Sequence, residues 1–104
     1  MNGSMALGGR TALVTGSVQG IGLAIARGLA REGARIAIHG LAGRDEGEVV
    51  AAALRDEGAP DTCFFDTDLR DPDAIGMMMD ALERWGPLDI LVNNAGIQRT
   101  APFA

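Results

Sequence analysis

The order of the elements predicts an α/β chain, an open and doubly wound parallel sheet with helices on both faces. Three observations predict it. Four short, mostly apolar runs, RTALVT (10–15), ARIAIH (34–39), TCFFD (62–66) and LDILVN (88–93), alternate with three longer segments of helical spacing, as in repeated strand–helix–strand units. The runs are short and nearly uninterrupted by charge, as strands covered on both faces should be. A glycine-rich turn follows the first run directly and opens into the first helical segment, where open sheets of this kind bind their ligands.

The first helical segment, Gly20 to Glu32, sets Ile21, Ala24, Ile25, Gly28 and Leu29 on one face and turns Arg27 and Arg31 away, with Gly33 to close it. The second, Arg44 to Glu57, carries Val49, Val50, Ala53 and Leu54 on one side and ends at Gly58. The Asp45-Glu46-Glu48 group at its start complements the helix dipole. The third, Asp73 to Trp85, carries Ile75, Met78, Met79 and Leu82; Asp71 is available as a cap and Pro72 suits the first turn. Met77, Met78 and Met79 are expected as polarizable core filler, Trp85 as a packing residue at the turn, and Cys63 as a buried, inert thiol. Short right-handed crossovers place the first and fourth strands side by side at a switch point. A flavodoxin-like strand order is the alternative, and composition does not separate the two.

Length and composition fit one domain: 104 residues, 47% hydrophobic and 22% charged. The net charge of −5 argues against a surface for nucleic-acid phosphates. All nine basic residues are Arg, and the chain has neither Lys nor Tyr. A single Cys permits no intrachain disulfide, and one His and one Cys among scattered carboxylates predict no metal site. The start, MNGSMALGGR, lacks the apolar run of a signal peptide, and no stretch reaches membrane-spanning length. A cytoplasmic location and no membrane partner are the expectation. Residues 1–9 are expected to be a flexible N-terminus, with Met5 a candidate native start.

The turn after the first strand reads Thr15-Gly16-Ser17-Val18-Gln19-Gly20-Ile21-Gly22. Glycine there turns the chain sharply, lets backbone N–H groups approach a pyrophosphate, and lets the helix pack close to the strand. A simple packing turn is the plainer reading of the glycines alone. The strand before and the helix after favour binding. The Gly-x-x-x-Gly-x-Gly spacing lacks the Gly-Lys-Ser/Thr ending of a phosphate-transfer loop, which disfavours an NTPase.

With this loop and the Asn93-Asn94-Ala95-Gly96 run after the fourth strand, the sequence resembles the short-chain dehydrogenase/reductase family over residues 10–104. The resemblance implies a Rossmann-type sheet, of which this chain holds the first four strands and three helices, binding a nicotinamide dinucleotide. It implies that Gly16, Ser17, Gln19, Gly20, Ile21 and Gly22 surround the pyrophosphate and its ribose, and that Asp68 and Leu69 meet the adenine. Asp66, Asp71 and Asp73 lie near enough in sequence to compete with Asp68 for that place. It also implies that Asn94, Ala95 and Gly96 line the cofactor, while Asn93 holds neighbouring strands together.

An acid roughly 20 residues beyond the glycine loop selects NAD through the ribose 2′-hydroxyl, and a basic residue there accommodates NADP. The chain has His39-Gly40-Leu41 at that place and departs from both patterns. Arg44 suits a solvated helix start, and His39 a strand end with a local hydrogen bond. NAD is the choice by resemblance, with Leu41 beside it and NADP not excluded. A narrower resemblance, to the 3-hydroxybutyrate dehydrogenases, is carried by VTGSxxGIGL (14–23), the Gly40-Leu41 pair and NNAGIQRTA (93–101). It implies that Gln98 reaches the carboxylate of a small hydroxy acid. An uncharged amide can do so without the cost of burying a charge. A loop amide facing water is the plainer reading of Gln98. Arg99 stands where that subgroup often has His.

The family moves the hydroxyl proton with a Tyr assisted by a Lys, and neither residue type occurs here. No catalytic residue is therefore assigned, and residues 10–104 are expected to be the N-terminal, cofactor-binding part of a longer enzyme. The resemblance implies a homotetramer for the full-length protein. Two alternatives remain at this point: a ketoreductase of the same family with another substrate, and a dinucleotide-binding module that does not catalyse.

Overall fold

In the computed structural model, which describes residues 6–94, the alternation read from the sequence becomes β1 (Thr11–Val14), α1 (Gly20–Arg31), β2 (Arg35–His39), α2 (Arg44–Asp56), β3 (Thr62–Phe65), α3 (Pro72–Trp85) and β4 (Ile90–Val92). The four strands form one parallel sheet in the order β3-β2-β1-β4. β1 pairs with β2 through Ala12↔Ile36 and Val14↔Ile38, and with β4 through Ala12↔Ile90 and Val14↔Val92. The chain thus crosses to the far side of β1 after α3, which is the switch point the sequence predicts. The flavodoxin-like alternative sets β1 between β2 and β3. Here β3 pairs with β2, from Ile36↔Thr62 to His39↔Phe65, which excludes it.

Side chains alternate across the sheet as the pleat requires. Ala12, Val14, Ile36, Ile38 and Phe64 face α1 and α2 and pack with Ala26, Ala30, Ala51 and Leu54. Leu13 and Ala37 point the other way and pack with Met78 and Leu82 of α3. The central strands β1 and β2 are the ones buried on both faces; β3 and β4 are half-buried or alternate, and Leu91 is exposed. The expectation of four fully covered strands therefore holds at the centre of the sheet and fails at its edges.

The helices meet the sheet on faces that sequence periodicity places only in part: Ile25 and Leu29 of α1 and Val50 and Leu54 of α2 pack on the core as the spacing predicts, and the rest of those stripes does not. In α1 the buried residues are Gly22, Ala26 and Ala30, at i, i+4 and i+8, while Ile21 is 69% exposed and Ala24 and Gly28 are also exposed. In α2 they are Gly47, Ala51 and Leu54, with Val49 and Ala53 exposed. The cause is steric. A helix lying close on a sheet puts its smallest residues at the contact: a Cβ on Gly47 would fall 2.5 Å from the Phe64 ring. A pattern weighted by side-chain bulk does not mark those small residues. In α3, Met78 and Leu82 are buried as expected, but Met77 and Met79 are exposed and are not core filler.

The helix ends follow local chemistry. Asp71 caps α3 by accepting the N–H groups of Asp73 (3.0 Å) and Ala74 (3.3 Å), with Pro72 in the first turn. α1 closes at Gly33, whose φ is +90°. Leu7, within the segment expected to be a flexible terminus, donates its N–H to Glu32 O at 2.8 Å and packs on the core. Trp85 donates Nε1–H to Asp61 (3.2 Å), and the Arg35 guanidinium lies 3.9 Å from its ring centre, an arrangement that joins α3 to the sheet opposite the glycine turn.

Candidate functional site

The carboxyl ends of β1, β2 and β3 and the loops leaving them build the site. After Val14 the chain reverses at Gly16 (φ +61°) and re-enters a helix through Gly20 (φ +64°), left-handed conformations that glycine adopts without strain. A Cβ on Gly22 would lie 2.0 Å from Gly16 O and 2.7 Å from the Asn94 side-chain nitrogen, so the third glycine is required by close approach. The Gly-x-x-x-Gly-x-Gly spacing thus records two left-handed turns and one contact.

Beneath the turn, Ser17 is fully buried. Its hydroxyl donates to Val14 O (2.7 Å) and accepts the His39 N–H (3.0 Å), and its own N–H donates to His39 O (2.7 Å). His39, 3% exposed, accepts the Gly16 N–H at its Nδ1 (3.1 Å). That bond requires a bare Nδ1, so the ring proton sits on Nε2 and is donated to Thr67 O at 2.7 Å. On the other side, Asn94 is 2% exposed and donates its side-chain N–H to Gly16 O at 3.0 Å, while Thr15 donates its hydroxyl to Asn93 Oδ1 at 3.2 Å. Asn93 thus joins the β1 and β4 ends, as the sequence reading expects.

Above this frame lies a cleft of about 460 Å³ lined by the glycine loop (Gly16, Val18, Gln19), the β2 end (His39, Gly40, Leu41, Ala42), Glu46 of α2, and Asp68, Leu69 and Arg70 after β3. This volume is in the range of small-molecule and cofactor sites. Gly40 packs closely on Val18, whose side chain a Cβ there would meet at 2.8 Å. Next to the cleft, the N-cap residue of α1, Gln19, makes no side-chain capping bond, and the first turn holds no acid. By contrast, α2 carries Asp45 and Glu46 in its first turn, and α3 has its Asp71 cap. The first-turn amides and positive dipole end of α1 are therefore available to an anion.

The charged groups around the cleft are mostly paired. Arg70 embraces Asp68: Nε at 3.0 Å and the backbone N–H at 2.9 Å reach Oδ1, and Nη2 reaches Oδ2 at 3.0 Å. These bonds hold the Asp68 carboxyl below the usual carboxylate range. Arg44 faces solvent and pairs with Glu48 at 3.4 Å. Glu46 lines the cleft.

Of the residues the sequence singles out, Gly16, Gln19, Leu41, Asp68 and Leu69 converge on the cleft. Gly20, Ile21 and Gly22 form the first turn of α1 beside it. Ser17 and Asn94 sit underneath, with their polar groups turned to the protein's own backbone. Ala95, Gly96, Gln98 and Arg99 lie outside the described residues. The cleft adds Val18, His39, Gly40, Ala42, Glu46 and Arg70. Arg70, two residues after Asp68, carried a local signal of bidentate pairing. For Glu46 a helix start full of acids offered none, because dipole compensation explains it equally well.

The short chain dehydrogenase family profile matches residues 10–104. A sorbitol dehydrogenase of Cereibacter sphaeroides is 43% identical over 100 residues, covering 95% of this chain and 37% of its own length. A D-beta-hydroxybutyrate dehydrogenase of Rhizobium meliloti is 42% identical over 90 residues, covering 86% and 35%. Among solved structures, a Pseudomonas aeruginosa RhlG/NADP active-site complex superposes with a TM-score of 0.77 at 37% identity, over 90% of this chain and 37% of the other. The chain spans a little over a third of the length of the curated relatives it matches.

Proposed function

The chain belongs to the short chain dehydrogenase family, and from that premise we propose that residues 10–104 supply the N-terminal, dinucleotide-binding part of an oxidoreductase that exchanges hydride between NAD and a small 3-hydroxy acid. One observation carries the reading. The uncapped, acid-free first turn of α1 opens beside a cleft where Gly16, Gln19, Leu41, Asp68 and Leu69 meet. A pyrophosphate fits the first-turn amides of Gly20, Ile21 and Gly22, and an adenosine fits between Leu41 and the Asp68-Leu69 loop. Asn94 serves this site from below by holding the Gly16 carbonyl, and Ser17 by tying the turn to Val14 and His39.

When bound, the nicotinamide group supplies the hydride acceptor or donor. This chain's residues bind and orient it. No Tyr or Lys occurs among the 104 residues to move the accompanying proton, so that task falls to groups beyond them. The preference for NAD over NADP is supported by charge: Glu46 lines the cleft, and Arg44 and Arg70 are already engaged by Glu48 and Asp68. A 2′-phosphate would meet a carboxylate there and two arginines already paired.

The 3-hydroxy acid rests on the NNAGIQRTA run and on likeness to a D-beta-hydroxybutyrate dehydrogenase, with Gln98 as the carboxylate partner and Ala95 and Gly96 beside the nicotinamide. A cytoplasmic homotetramer completes the proposal. Among the described residues no helix is long and apolar enough to cross a membrane. Titration with NADH, followed by nicotinamide fluorescence, tests the binding claim. Saturable binding with a weaker NADPH isotherm is expected, and no binding of either would overturn it.

A further inference from the structure

We propose that His39 is a positioning residue that holds the two ends of the dinucleotide cleft in register, its imidazole bridging the glycine loop and the loop that carries Asp68. The inference rests on the cofactor reading above. His39 ends β2, the strand between the two loops, and lies under the cleft almost wholly shielded from solvent. One ring nitrogen takes the Gly16 N–H, at the reversal that opens the pyrophosphate turn, and the other gives its proton to Thr67 O, immediately before Asp68. The backbone of the same residue holds Ser17 through three further hydrogen bonds, so the ring is set rigidly between its partners.

The two bonds have opposite sense. The glycine-loop side needs an acceptor and the Asp68 side needs a donor, and a neutral imidazole with its proton on Nε2 supplies both at one spacing. An aliphatic residue would fill the volume and supply neither. Asparagine places an oxygen where Nδ1 stands and can serve Gly16; glutamine reaches farther and can serve Thr67. The bridge therefore separates into halves, each with its own end of the ligand.

The experiment compares wild type with His39→Leu, His39→Asn and His39→Gln in NADH, inorganic pyrophosphate and AMP titrations, with a melting curve for each protein. His39→Leu is expected to weaken NADH about tenfold or more, since buried backbone groups on both loops lose their partners. His39→Asn should keep pyrophosphate affinity within about twofold of wild type and weaken AMP, and His39→Gln should do the reverse. Should His39→Leu fail to fold, the opposed pair carries the test. The assignment is overturned if His39→Leu binds NADH as wild type does, or if His39→Asn and His39→Gln weaken both fragments equally in step with their melting temperatures. A wild-type protein that binds neither NADH nor NADPH removes the cofactor reading and this inference together; the other adverse outcomes leave that reading standing.

Discussion

The side-chain amide of Asn94 donates to the carbonyl of Gly16 across 3.0 Å, joining residues 78 apart in the chain and clamping the ends of β4 and β1. Gly22 lies against the same carbonyl, with no room for a Cβ. Gly16 is therefore held from three sides, by Asn94, by the start of α1 and by His39. The glycine turn is thus shaped by its surroundings, and preformed geometry of this kind lowers the cost of binding a ligand.

Gly22→Ala sets a methyl group 2.0 Å from that carbonyl oxygen, a backbone atom that cannot swing aside. Stability is expected to fall by about 3 kcal/mol, and NADH affinity by at least about tenfold. Urea unfolding and a nicotinamide-fluorescence titration measure the two effects. Wild-type values in both would remove the close approach as the reason for this glycine.

Asn94→Ala leaves the Gly16 carbonyl without its side-chain donor in a buried setting. A loss of about 1–2 kcal/mol is expected in urea unfolding. NADH affinity should fall with it, because the turn loses one of its three restraints.

Glu46→Arg replaces a carboxylate in the cleft lining with a cation. The ratio of NADPH to NADH affinity should rise about tenfold, a change of ~1.4 kcal/mol. Paired titrations of wild type and variant check it, and an unchanged ratio would show that the 2′ position lies away from Glu46.

Glu57, at the end of α2, accepts Arg27 Nε at 2.8 Å, and its buried Oε1 lies 3.0 Å from Arg31 without hydrogen-bond alignment. The Arg27 hydrogen bond, aided by both positive charges and opposed by desolvation, lowers its pKa below the ordinary 4.5. A carboxyl depressed in the folded state contributes stability that is full above its unfolded pKa and lost as pH falls through the folded one. The difference in melting temperature between wild type and Glu57→Gln should therefore be largest above about pH 5 and shrink toward pH 3. A constant difference would mean that Glu57 acts through packing alone.

Cys63 is only part-buried, against the expectation of full burial, yet its thiol is pushed up to about 12, first by desolvation and then by the charge of Asp61, with Arg35 opposing. At pH 8 its alkylation by iodoacetamide should be on the order of a hundredfold slower in native than in urea-unfolded protein. Equal rates would contradict a suppressed thiolate.

The residues legible in the sequence were those whose signal is local. Asp71-Pro72 announced the start of α3, Gly33 the end of α1, and Gly16, Gly20 and Gly22 the turn between strand and helix. The helix faces are legible only in part: Ile25 and Leu29 pack on the core as their spacing predicts, but the smallest residues carry no bulk to mark them as the contact. Only contact with the sheet shows that Gly22, Ala26 and Ala30, rather than Ile21, Ala24 and Gly28, lie inward. Asn94 was singled out for the cofactor, and nothing beside it in the chain marks the Gly16 carbonyl that it holds.

By itself the sequence determined the alternation of strands and helices and the place of the turn, and its glycine and asparagine motifs carried the resemblance to the family. The alternation and the turn follow from turn chemistry and periodicity, which act between residues a few positions apart. Only the tertiary structure decided which way these polar side chains face: Ser17 and Asn94 toward the protein's own backbone, His39 between two loops. Those choices depend on partners brought near by the parallel pairing of distant strands. A buried donor or acceptor takes whichever partner the packed sheet places within reach.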